Sequence, residues 1–468
     1  MINPGDQHPT GLQRFAKSHR IKTTRHTHTR KNLIMTIPKK FAAALLTTLL
    51  LPSTLIAGPA IQDWQTSGGS RVLFVTAPSL PMIDLRLVCD AGSARDGNQG
   101  SLALMTNNLL FSGAGKLNAD AIAAGFDDLG AQVGSSVGND MASLRLRSLS
   151  DADHLQPALA LFATVVGEAD YPADDFERER KNLLIGLQQE KQNPGALAQR
   201  AFYGAAYGDH SYATMASGTQ QSVEALTRND LVAFKQKYYT SANCLVVMVG
   251  DLERSQAAAI AERITAGLAA GDRAAPLAAV ANNSADFQQI THPSQQTHVL
   301  IGQPAVSRGD ADYFPLFLGN HVLGGSGLLS RISKEIREKR GLAYSAYSYF
   351  SPLRQQGPYV MGLQTRNDQA EQAAQLLREE LIKFLKEGPN EKELRAAKEN
   401  LTGGFPLRID SNGKIIGYLA VIGYYDLPLN YLDTWVDRIN VITSEQVRDA
   451  FARHIDLERL VEIRVGGS

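Results

Sequence analysis

Cysteine is nearly absent from this chain: Cys89 and Cys244 are the only two in 468 residues. No Cys/His cluster with metal-ligand spacing is present, and neither H-x-x-E-H nor H-E-x-x-H occurs anywhere. His154, His210, His321 and His454 are scattered singly, as surface or hydrogen-bonded core histidines are. An excess of charge is missing too, since 47 basic residues balance 47 acidic ones. With no basic stripe, nucleic acid is excluded as a partner. Long apolar runs are also wanting: Phe41–Leu51 is too short and interrupted for a stable membrane span. The glycine-dense turn Gly324–Gly327 lacks the lysine of a P-loop, which argues against a phosphate site.

What is present reads as a soluble globular protein, with 44% hydrophobic and 20% charged residues. Residues 1–60 hold nine of the basic residues and one acidic, so the body carries 38 basic and 46 acidic. Lys39 and Lys40 precede the run Phe41–Leu51, and Pro52, Ser53, Ala57, Gly58 and Ala60 follow it. This is the layout of a secretory signal, with translation starting at Met35 and a periplasmic or otherwise exported product. A mitochondrial-type transit sequence is the competing reading, because residues 12–31 are Arg-rich and acid-poor. His26 and His28 fall in this disposable segment and are not read as ligands. The two cysteines lie in apolar, strand-like runs, where core thiols are the default. A disulfide between them is allowed after export but is left open by the sequence.

The body is duplicated. Leu226–Gly250 (LTRNDLVAFKQKYYTSANCLVVMVG) aligns without a gap on Ile442–Gly466 (ITSEQVRDAFARHIDLERLVEIRVG), at an offset of 216. Thr227 falls on Thr443, Leu231 on Val447 and Gly250 on Gly466. Each copy is a Thr-capped amphipathic helix followed by a strand that ends in glycine. The charge-rich helical run around Glu177 meets the run around Glu393 at the same offset. Strands are expected at 71–77, 83–91, 143–149, 245–249, 298–302, 359–365 and 460–465. Long helices are expected at 155–166, 174–193, 369–386 and 391–401. Strands and helices do not alternate one for one, so the fold class is α+β. We expect two duplicated domains, each a mainly antiparallel sheet with helices packed on one face. Their bounds are 61–270 and 295–468, joined by an Ala/Pro/Asn-rich linker over 271–294.

The most distinctive stretch is Val322–Phe350, VLGGSGLLSRISKEIREKRGLAYSAYSYF. After its glycine-rich entry comes a helical run with Leu328, Leu329, Ile332 and Ile336 as the apolar positions. Gly341 stops that helix, and an aromatic, alternating segment follows as a strand. Arg337, near the helix end, and Tyr344, just past the glycine, are placed to point into one space. On pattern alone, Arg337 in a solvated charged face and Tyr344 in the core is the plainer alternative.

The segment resembles the second-half signature of the pitrilysin/insulinase family of zinc peptidases, the inverted zincins. The motif R-x-x-x-G-L-x-Y is complete here as Arg337, Gly341, Leu342 and Tyr344. The resemblance spans residues 65–468 and implies a clam-like chain of duplicated α+β domains. It implies that Arg337 and Tyr344 bind peptide and stabilise the oxyanion formed when water attacks the scissile carbonyl. It also implies H-x-x-E-H on a first-half helix, with a further glutamate downstream as the remaining zinc ligand.

Here the flanks of that motif are kept, in Ala91-Gly92-Ser93 and Leu110-Phe111-Ser112-Gly113, but the helix reads SLALMTNNLL. The motif positions fall on Leu104, Asn107 and Asn108, and the downstream glutamate on Gly186, with Glu190 one turn later. Leucine and glycine offer no donor, and a neutral amide is a poor zinc ligand and no base. No catalytic zinc is expected in this chain. The combination points to the non-catalytic subunit of a heterodimeric zinc endopeptidase. Its expected partners are a zinc-bearing H-x-x-E-H subunit and a peptide or unfolded polypeptide substrate. The substrate would be added as a strand at an edge such as Gln132–Asp140, unless that stretch is an ordinary loop. The alternative is a peptidase-like scaffold or peptide-binding protein with no proteolytic role.

Overall fold

The structure, a computed structural model, describes residues 59–282 and 284–467. The readings placed on Met35 and on Lys39 to Gly58 lie outside the described residues. Among the described residues, no helix is long and apolar enough to cross a membrane.

Eleven strands build two open sheets. They are β1 (Gln62–Gln65), β2 (Arg71–Thr76), β3 (Met82–Cys89), β4 (Gln132–Val137), β5 (Ala142–Leu149) and β6 (Cys244–Gly250) in the first sheet. The second holds β7 (Asp286–Ile290), β8 (Gln296–Val306), β9 (Ala343–Phe350), β10 (Gly357–Arg366) and β11 (Val461–Val465). The first sheet runs β1-β2-β6-β3-β5-β4 and the second β7-β11-β8-β10-β9. Apart from the added β1, the two orders are the same. Each contains one parallel pair, β2 with β6 and β7 with β11, among antiparallel neighbours. The internal repeat in the sequence is thus a repeat of topology, and the fold is α+β with mainly antiparallel sheets.

The stretch 271–294, which by composition reads as irregular, contains β7. Its pairing is supplied by β11, 175 residues downstream in register Asp286↔Val461 to Ile290↔Val465. A short polar strand (DFQQI) whose hydrogen bonds come from so far along the chain leaves no local signature. β7 is the counterpart of β2, so the second repeat starts inside that stretch.

Both faces of β2 are buried, which is why RVLFVT shows no polar alternation. Val72 and Phe74 pack with Ile83, Leu85 and Leu87 against Leu155 and Phe162 of the helix Ala152–Glu168. Leu73, Val75, Val247 and Val249 point the other way, onto Ile415, Ile416 and Leu419. Those three belong to the helix Asn412–Tyr424, which comes from the second half of the chain. The exchange is mutual. The helix Pro194–Tyr207, from the first half, lays Ala198, Phe202 and Ala206 on Leu300, Val461 and Ile463 of the second sheet. Each half therefore completes the other's core, and neither of these two helices was anticipated from the periodicity.

The hairpin turn between β4 and β5 fixes this arrangement. Its Asp140 is buried and accepts hydrogen bonds from the Tyr212 hydroxyl (2.5 Å), the Tyr425 hydroxyl (2.7 Å) and the Arg354 amide (2.7 Å). The Tyr424 hydroxyl donates to the Asp140 carbonyl at 3.0 Å. Burial, and then the neighbouring carboxylate, push the Tyr212 and Tyr425 phenols well up, which keeps both as donors.

Cys89 and Cys244 stand directly opposite each other in the β3–β6 register and form a disulfide, with Cα atoms 4.0 Å apart. The choice between free thiols and a bridge is settled by this pairing, which sequence distance cannot reveal. A chain with both cysteines changed to alanine should lose about 2–4 kcal/mol of stability. Urea midpoints of the two proteins measure this; equal midpoints would show that the bridge contributes nothing.

Candidate functional site

The Val322–Phe350 segment folds in four short pieces. The helix Tyr313–Asn320 runs on into a π-helical turn, His321–Gly325. A 3-10 turn, Gly327–Leu329, follows, and Ser330 then caps a helix by accepting from the Ser333 amide. That helix is α over Arg331–Ser333 and π over Lys334–Glu338, a widened turn of the kind found at functional sites. Ile332 and Ile336 are fully buried, as their spacing implies. Leu328 and Leu329 are not part of that apolar face. They precede the Ser330 cap and stand exposed.

Gly341 ends the helix with φ +62°, a left-handed conformation that favours glycine, and its amide donates to the Arg337 carbonyl at 3.1 Å. Gly324 is held by a different demand. A Cβ there would lie 2.3 Å from the Ser348 hydroxyl, whose oxygen donates to Asn320. The π turn can therefore lie flat on β9 only with glycine at 324.

β9 is the edge strand of the second sheet. Its register with β10 slips between Ala343 and Ala346, so Tyr344 and Ser345 bulge out of the ladder. This puts Tyr344 85% in solvent, not in the core. The Arg337 guanidinium lies over its ring, 4.9 Å from the centroid. The other arginines of this helix are engaged: Arg331 with Glu393 at 2.5 Å, and Arg340, like Lys339, with Glu335. Among the described residues no carboxylate pairs with Arg337. The structure thus brings Arg337 and Tyr344 together at a sheet edge, with the phenol outward and the guanidinium uncommitted.

Leu104, Asn107 and Asn108 lie on the helix Leu102–Asn108. That helix is started by Asp96, whose carboxylate accepts from the Ala103 amide (2.7 Å) and the Ser101 amide (3.1 Å). Leu104 is half-buried. Asn107 is fully buried, donates to the Tyr239 hydroxyl at 3.0 Å and leaves its carbonyl oxygen without a partner. Asn108 is exposed and donates to Glu179 at 2.9 Å. Gly186, on the helix Ala173–Glu190, faces open space, and Glu190 is drawn off to Arg200 at 2.5 Å. The carboxylate at this place is Glu179, two turns before Gly186, which alignment by spacing did not single out. One carboxylate, two amides and a leucine do not fit a zinc site, because imidazole and a general base are both missing. No step is assigned to a metal held here.

Burial pushes the Asp96 carboxyl up to about 7, against its two backbone hydrogen bonds. The folded value lies above the unfolded one of about 3.9, so the native state binds the extra proton in between. Stability contributed here is full below about pH 4 and falls as pH rises through 7. Relative to Asp96→Asn, the wild type should gain on the order of 2 kcal/mol between pH 8 and pH 5. Urea titrations of both proteins at the two pH values test this, and a constant difference would refute it.

Known proteins share this architecture. The family profile described as "Insulinase (Peptidase family M16)" matches residues 71–220, and "Peptidase M16 inactive domain" matches 225–401. A solved structure of a peptidase M16 inactive domain from Pseudomonas fluorescens is 41% identical, with a TM-score of 0.85. The match covers 87% of this chain and 98% of that one. An uncharacterized zinc protease of Mycobacterium leprae is 28% identical over 390 residues, which is 81% of this chain and 86% of the relative. Another, YmxG of Bacillus subtilis, is 23% identical over 85% of this chain and 96% of its own length. This chain belongs to peptidase family M16, the insulinase family, and is a peptidase-like member whose residues at the metal positions are not those of a zinc site.

Proposed function

We propose that this chain is the non-catalytic subunit of a heterodimeric zinc endopeptidase, exported from the cytoplasm. The observation that carries the reading is the Arg337–Tyr344 pair: an arginine with no carboxylate partner, stacked on an outward phenol at a sheet edge. A solvated structural face would have no use for that arrangement, whereas a site for a developing oxyanion needs such donors. A partner bearing H-x-x-E-H would hold the zinc, which supplies Lewis acidity and an activated water. Arg337 and Tyr344 donate hydrogen bonds to the carbonyl oxygen as it gains charge, and neither has to lose its proton. The substrate is a peptide or unfolded polypeptide, added in extended form beside β4, an edge strand low in side-chain bulk (QVGSSV). The two duplicated units, the second beginning with β7, act as one rigid half of the enzyme, tied by the exchanged helices. Export is supported by the disulfide, since such bridges persist in oxidising compartments.

The second reading is a scaffold or peptide-binding protein without a proteolytic role, favoured by the similarity to the Pseudomonas fluorescens inactive domain. Purification alone and beside an H-x-x-E-H relative from the same cell separates the two. The pair should co-elute as a heterodimer and cleave an unfolded peptide that neither chain cleaves alone. Cleavage by the lone chain, or full activity of the relative without it, would overturn the proposal.

A further inference from the structure

Two carboxylates and one imidazole converge at the far end of the second half, on residues the proposed function does not use. His454 is the last residue of the helix Ser444–His454. Asp310 and Asp312 sit in the turn between β8 and the helix Tyr313–Asn320. The imidazole Nδ1 lies 3.1 Å from the Ala305 carbonyl, an acceptor only, so in the neutral ring the proton sits on Nδ1. The lone pair of Nε2 then faces the Asp312 Oδ2 at 3.1 Å and the Asp310 Oδ1 at 3.7 Å. Three electron-rich atoms directed at one point repel one another unless a cation occupies it. A proton on Nε2 bonds to Asp312 alone, because 3.7 Å is too far for a hydrogen bond to Asp310.

The spacing suits something larger than a proton. Ligands about 2.0–2.2 Å from one ion, at tetrahedral to octahedral angles, lie about 2.8–3.6 Å from each other. All three donor atoms here fall within 4.8 Å of one another, with the two measured separations at or near that range. The contact from Nδ1 to a backbone carbonyl is the outer support that ligating histidines usually have. The Asp312 amide donates to Asp310 Oδ1 at 2.8 Å, which orients that carboxylate in turn. We propose that Asp310, Asp312 and His454 bind a divalent transition-metal ion, in the class of zinc or manganese. The mixed nitrogen and oxygen donors select against calcium and magnesium, and solvent completes the coordination. The ion would fasten the end of the helix Ser444–His454 to the turn after β8.

Arg453 bears on the proposal. Its guanidinium forks onto both Asp312 oxygens, at 2.7 and 2.8 Å, and competes with the ion for that carboxylate. Tyr238 stands 216 residues before His454, in the repeated helix, so the imidazole and with it the triad belong to the second half and not to the repeated fold.

The test is calorimetric titration of zinc chloride, with magnesium chloride as control, into the full chain stripped by chelator. The wild type should bind one zinc, with at least tenfold preference over magnesium and a rise in melting temperature. Asp310→Asn, which breaks no ion pair to arginine, should weaken zinc at least tenfold. Arg453→Gln should strengthen it several-fold, because the competing cation is gone. Zinc affinity unchanged by both substitutions, or no saturable binding by the wild type, overturns the site and leaves a His–Asp ion pair only.

Discussion

Replacement of Arg337 by alanine is expected to lower peptide turnover by the assembled pair about 100- to 1000-fold, the usual cost of one oxyanion donor. Tyr344→Phe, which removes only the phenol O–H, should fall in the same direction. The loss should appear in kcat more than in KM, because the hydrogen bonds strengthen only as the carbonyl oxygen gains charge. Folding should be untouched in both. Tyr344 is 85% exposed, and among the described residues Arg337 has no carboxylate partner, so neither substitution opens a cavity or strands a buried charge. Melting temperature, heterodimer formation and the zinc content of the partner are the controls. Normal turnover by both variants in an intact heterodimer would remove the split-site reading while leaving a binding subunit possible. Failure to form the heterodimer at all would point to the scaffold reading.

The largest expected effect on stability belongs to Asp140. Its carboxylate accepts from Tyr212, Tyr425 and the Arg354 amide, and these three donors come from three separate stretches of chain. Asp140→Ala leaves two phenols and one backbone N–H buried without an acceptor, each costing about 1–3 kcal/mol. Allowing for partial relaxation, a loss of about 3–5 kcal/mol is expected. Asp140→Asn, which keeps one acceptor oxygen, should lose less. Urea unfolding measures both. An alanine variant within about 0.5 kcal/mol of wild type would mean that water replaces the carboxylate and that the turn does not hold the halves together.

How far the sequence reached follows from the range of each interaction. The helix Ser444–His454 begins and ends where its Thr443 cap and apolar spacing placed it, because a cap and a 3.6-residue stripe are local facts. Gly341 as a helix stop and β9 as a strand were readable for the same reason. The exposure of Tyr344 was not, since a bulge in the pairing with β10 turns it outward and no single segment encodes a register. The loss of metal donors at Leu104, Asn107 and Asn108 was plain from residue chemistry. The engagement of Asn107 with Tyr239 and of Asn108 with Glu179 needed the folded chain.

By itself the sequence determined the duplication, the capped helix and glycine-ended strand that close each repeat, and the loss of the H-x-x-E-H donors, because residue type and spacing suffice for all three. Only the tertiary structure decided that the repeats exchange helices, that β7 lies inside the apparent linker and that Cys89 meets Cys244. It alone set Arg337 over an outward Tyr344. Each of these joins groups far apart along the chain, and such contacts are fixed by the packing of whole sheets rather than by any local preference.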